Sequence, residues 1–144
     1  KFLKGTTVAQ QLACAVVFST PVLCWAENPD LYLASPAVDV IRAMPVLWDE
    51  TRVLSPSAIG ELAIFARRSG NEWWIGVING GGQRSLELPM DFLGTGKWSA
   101  ERYADGAQAT DFVITRDVAV TAKEPHKVEL APGGGLLMRI RKQP

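Results

Sequence analysis

The spacing of apolar and polar positions changes near residue 45, and that change divides the chain in two. From Val8 to Phe18 the residues are apolar almost all round, with Thr7 and Gln10 in capping-box spacing before them and Pro21 after them. This predicts a helix with little polar face, of the kind that lies inside a larger body. Val22-Leu23-Cys24-Trp25-Ala26 follows as an unbroken apolar run and predicts a strand covered on both faces. Asn28 offers an N-cap before Pro29, so a short helix is expected through Ala34. Ser35-Pro36 repeats the device for a second helix, which Pro45 closes. Helix, buried strand, helix and helix, in that order, is how the last repeat of a parallel α/β barrel or doubly wound sheet reads.

From Val46 onward the pattern alternates with period two. Residues 61–68 and 72–78 read as strands joined by Ser69-Gly70-Asn71, a hairpin loop of three residues. Further strands are expected over Gln83–Leu88, Lys97–Tyr103, 111–121, 127–130 and Leu136–Arg141, separated by glycine-rich turns. Trp48–Leu54 is the first strand or the bridge into it. About seven or eight short strands at this spacing predict a mainly β chain: an antiparallel β-sandwich preceded by an α/β fragment.

Charge narrows the list of partners. The chain has 15 basic and 15 acidic residues, and both halves are close to balanced, so no global field favours nucleic acid or an anionic membrane. No apolar stretch reaches transmembrane length. Cys14 and Cys24 are too few for a disulfide framework and could be a pair or two buried thiols. One histidine, His126, cannot nucleate a metal site or a nucleophile–base pair alone. Lys1, Lys4, the apolar run and Ala26 imitate a secretion signal, but Thr6, Thr7, Gln10 and Gln11 interrupt it and favour the helix.

Candidate chemistry is sparse. Gly80-Gly81-Gly82 and Gly133-Gly134-Gly135 open no helix and lack the lysine of a phosphate cradle, so they read as turns and bulges. Asp49-Glu50 is an acidic pair, yet neighbours on a strand point to opposite faces and cannot flank one glycosidic bond. A salt bridge with Arg52 at the seam between the two parts suits them better. Alternation puts Trp48, Glu50 and Arg52 on one face, with Trp48 buried and Arg52 bonded across the seam. Trp73 and Trp74 suggest a sugar-stacking platform, although at most one of them can face outward. Trp25, Glu27 and Asn28 stand at the C-terminal end of the expected strand, where α/β barrels place their sites, and are the substrate-cleft candidates.

The runs TTVAQQLACAVVFSTPVLCWAENP, PVLWDETRVL, GELAIFARRSGNEWWIGVING, LELPMDFLGTGKW, YADG and LAPGGG together resemble the C-terminal portion of glycoside hydrolase family 97. The resemblance extends from about Gly5 to Ile140, with WDETRVL and ARR-x-G-x-x-W-x-x-G its most specific parts. It implies that residues 1–50 end a catalytic (β/α)₈ barrel and that residues 51–144 form a C-terminal β-sandwich with a structural or oligomerisation role. It also implies an upstream barrel as intramolecular partner, a possible homo-oligomer and α-linked oligosaccharide as substrate of the whole enzyme. Calcium would assist hydrolysis there, and the protein would be periplasmic or secreted. None of the family's catalytic residues falls within this chain, and Glu27 stands where the family often has aspartate. A stand-alone secreted carbohydrate-binding sandwich, or a protein-interaction domain without sugar contact, are the alternatives.

Overall fold

The computed structural model describes residues 4–18, 20–26 and 28–144. Among the described residues three helices come first: α1 (Val8–Val17), α2 (Pro29–Leu33) and α3 (Val38–Ala43). Eight strands follow: β1 (Glu50–Val53), β2 (Leu62–Ser69), β3 (Glu72–Asn79), β4 (Arg84–Leu88), β5 (Trp98–Asp105), β6 (Phe112–Val120), β7 (His126–Leu130) and β8 (Gly135–Lys142). Every pairing is antiparallel. Six strands form one sheet in the order β1-β2-β3-β8-β5-β6, and β4 with β7 forms a second, smaller sheet. The expected sandwich is therefore present, built as six strands against two.

Alternation in the central strands sends side chains to two separate cores. Toward the small sheet, Ile64, Trp73, Ile75, Val77, Met138 and Ile140 meet Leu86, Leu88, Val128 and Leu130. Toward the helices, Trp74, Tyr103 and Leu137 meet Leu12, Ala15 and Val16 of α1, together with Val40 and Met44 around α3. The large sheet is thus covered on both faces, by strands on one side and by helices on the other.

Two glycines set how closely α1 lies. A Cβ on Gly76 would stand 2.9 Å from the Ala13 carbonyl oxygen and 2.9 Å from Val16 Cβ. One on Gly135 would stand 2.5 Å from Gln10 Cα. The two residues lie on the adjacent strands β3 and β8 and form a bare floor on which the helix backbone rests. Gly135, expected in a turn, is therefore a strand residue chosen for close approach.

The expected strand at 22–26 is absent. Residues 23–26 have no regular structure and Val22 is 72 % exposed. A strand is stable only with a ladder partner for its N–H and C=O groups, and the six-stranded sheet ends elsewhere. Without a ladder the segment is only partly buried: Leu23 and Trp25 pack against the helix-side core, while Val22 and Cys24 stay exposed.

Candidate functional site

Three places carry unusual chemistry: a polar joint under α1, an apolar cleft beside it, and the charged strand β1. The joint starts at the helix cap. Thr7 Oγ1 accepts from the Gln10 N–H at 3.1 Å and donates to Asp105 Oδ1 at 2.6 Å. Only half of the capping box forms, because the Gln10 side chain turns away and donates to the Asn79 carbonyl at 3.2 Å. Asp105 also accepts from the Ala131 N–H at 2.8 Å and from the Gly135 N–H at 3.1 Å. Fully buried Asn79 donates to the carbonyls of Gly82 at 2.8 Å and Ala131 at 3.0 Å. One carboxylate and one amide thus tie the helix start to both glycine-rich turns. Asp105, the last residue of β5, pairs with loops distant in sequence, which leaves no local signal for its role.

The cleft lies between α1, residues 20–26, α2 and β6. Its volume is about 800 Å³, and Leu12, Phe18, Leu23, Trp25, Tyr32 and Phe112 contribute to its walls. Trp25 packs edge-on against Tyr32, with ring centroids 5.5 Å apart. Asn28, a cleft candidate from its position, caps α2 by accepting from the Asp30 N–H at 2.9 Å. Glu27 lies outside the described residues. Cys24 is exposed, Cys14 is half-buried and both thiols are free; burial pushes the Cys14 thiol up from its ordinary value.

At β1 the expected alternation fails by one residue. Trp48 packs edge-on against Trp74 on the helix side, at 6.3 Å, whereas Arg52 lies over Trp73 on the sandwich side, at 5.6 Å. The cause is visible in the ladder. The register sets Glu50 opposite Arg68, yet the Asp49 N–H also donates to the Arg68 carbonyl, at 2.8 Å. Two residues of this strand therefore face one of β2, a bulge that inverts the face of whatever precedes it.

Arg52 is bonded to Glu50 of its own strand, at 2.7 Å, rather than across a seam. Arg68 on β2 reaches both acids, Glu50 at 3.2 Å and Asp49 at 3.4 Å. Hydrogen bonds from Arg52 and then Arg68 hold the Glu50 carboxyl below the ordinary carboxylate range. Carboxylates so paired are poor general acids, which must carry a proton near neutral pH. Trp73 and Trp74 are 4 % and 0 % exposed, one in each core, so neither ring is open for a sugar to stack on. Among the described residues no three acidic, histidine or cysteine side chains stand close enough to hold a metal ion.

The chain is thus a two-sheet sandwich with a helix packed on the outer face of its larger sheet, an apolar cleft beside that helix and paired charges at one edge. The family description "Glycosyl-hydrolase 97 C-terminal, oligomerisation" matches residues 47–141, and the chain belongs to that family. It is 33 % identical over 145 residues to a retaining alpha-galactosidase of Bacteroides thetaiotaomicron, covering 94 % of this chain and 21 % of that protein. It is 34 % identical over 128 residues to a probable retaining alpha-galactosidase of Streptomyces bingchenggensis, covering 88 % and 19 %. A glycoside hydrolase family 97 enzyme from Pseudoalteromonas sp. strain K8, solved with panose, superposes with a TM-score of 0.89 at 32 % identity over 97 % of this chain and 23 % of that one. The chain spans about one fifth of the length of the curated relatives it matches.

Proposed function

We propose that this chain is the C-terminal part of a longer α-glycosidase and that its own work is mechanical. In this reading residues 1–50 complete a catalytic barrel and residues 51–144 brace it. The observation that carries it is the apolar cleft. Phe18, Val22 and Leu31 are more than half exposed on its walls, while the helix beneath is fixed by Gly76, Gly135 and Asp105. A rigid support with an open apolar face suits a permanent partner in the same polypeptide. Trp25 and Asn28 then stand at that partner's border, and Trp48, Asp49, Glu50 and Arg52 at the junction between the two parts.

Hydrolysis of the α-linked sugar, a galactoside or a glucoside, falls to carboxylates of the upstream barrel acting as acid and base or nucleophile. Calcium, which the family resemblance implies, would assist that hydrolysis. The carbohydrate-binding alternative loses its platform with both tryptophans buried.

The test compares the 144-residue chain with the full polypeptide on nitrophenyl α-galactoside and α-glucoside. The short chain should be inactive and should bind an apolar dye in the cleft; the long one should be active and bind little. Turnover by the short chain that disappears on substituting Asp49 or Glu50 would overturn the proposal.

A further inference from the structure

The described residues expose nine large hydrophobic side chains, and eight of them form two groups. Phe18, Val22 and Leu31 line the cleft assigned above to the barrel, and Leu33 follows Leu31 on α2. Val46, Leu47 and Ile59 flank β1, which ends on Val53, and nothing in that assignment covers these four. Ile59, in the loop that follows the strand, is fully exposed.

β1 is an end strand of the six-stranded sheet, paired on one side only among the described residues. The Leu54 N–H donates to the Ile64 carbonyl at 2.9 Å, and the register is continuous from Val53 back to Glu50. In an antiparallel ladder, bonding toward one neighbour alternates, so Glu50 and Arg52 point their main-chain groups at β2. Thr51 and Val53 point theirs outward, where another strand can take them. β6, at the opposite end, is a worse template. Its pairing with β5 shifts register between Ala100 and Arg102, and Asp117 sits at a φ of 56° that bends the strand.

We propose that the free edge of β1 is the contact for a second copy of this chain, paired antiparallel about a two-fold axis through Thr51. The proposal rests on the oligomerisation role given above and names its surface. Its main support is self-complementary charge. Centred on Thr51, the two strands exchange both Thr51 main-chain bonds, and Glu50 of each copy falls directly opposite Arg52 of the other. That pair is of the non-hydrogen-bonded type, in which opposing side chains are closest. The same axis brings the Val46–Leu47 side of one copy toward the Val53–Ile59 side of the other. A strand this short gives few main-chain bonds, so these four apolar side chains supply the rest of the contact. Each copy uses the same patch, so the assembly closes at two.

The test uses the full polypeptide that carries this chain, with mass measured by light scattering and α-galactoside and α-glucoside hydrolysis followed on the same samples. Glu50→Arg alone and Arg52→Glu alone each set like charges opposite one another, and each should halve the mass. Co-expressed with different tags, they should restore the dimer as a mixed pair, because one copy now carries two positive charges and the other two negative. A monomeric parent, single variants that keep the parent's mass, or single variants that stay monomeric when mixed would each overturn the proposal. Restored mixed dimers also exclude simple misfolding of the variants. Absence of glycosidase activity in the parent would sink the enzymatic reading while leaving the mass measurement fully readable.

Discussion

Helix α1 and the segment at residues 22–26 are neighbours of similar apolar character, yet the structure treats them oppositely. α1 keeps its main-chain bonds within itself and needs only a face to lie on, which Gly76 and Gly135 provide. The segment at 22–26 was expected to be a strand, and a strand must borrow its bonds from a neighbour. The difference teaches that hydrophobicity predicts a demand for burial but not the means of meeting it. A helix brings half its solution along; a strand waits for its partner.

The comparison breaks most readily at the helix floor. Gly76→Val places two methyl groups where the α1 backbone runs, closer than van der Waals contact permits. The helix must lift, at a cost of about 3 kcal/mol or more. Hydrogen exchange should then show α1 amides losing protection while β5 and β6 keep theirs. Unchanged protection of α1 would show that the close approach is not what fixes the helix.

Asp105→Ala should come next, at about 2–3 kcal/mol, because it strips the acceptor from Thr7 Oγ1 and from the N–H groups of Ala131 and Gly135. Thr7→Val, which keeps the shape and removes one hydroxyl, should cost less. Equal losses from the two variants in chemical denaturation would contradict a shared hub at Asp105.

A smaller, pH-dependent effect belongs to the sandwich rather than to the helix. Burial, followed by the nearby Arg102 charge, holds the His126 imidazole below its ordinary value near 6.5. The unfolded chain therefore takes up this proton first, and stability falls as pH drops below about 6.5. His126→Gln should flatten that part of the stability–pH curve. A slope identical to the parent's between pH 7 and pH 5 would remove His126 from the account.

Arg52→Ala should do least to the fold. Its side chain is 46 % exposed, and Glu50 keeps Arg68 when Arg52 is lost. Melting of the monomeric form should hardly move, as for other exposed ion pairs. A fall of more than a few degrees would mean that its position over the Trp73 ring matters more than its charge.

What the sequence determined by itself is the set of local elements. Capping residues, prolines and an unbroken apolar run marked α1 and α2, and alternation broken by glycine turns marked the strands of a sandwich. These signals lie within a few residues of what they specify. The tertiary structure decided the rest. One bulge at Asp49 and Glu50 moved Trp48 to the helix face, against simple alternation. Asp105 became a hub through partners at Thr7, Ala131 and Gly135, and Gly135 became a floor rather than a turn. Residues 22–26, apolar enough for a strand, found no ladder to join. Each outcome depends on which distant backbone arrives alongside, and a linear pattern of apolar and polar residues does not carry that information.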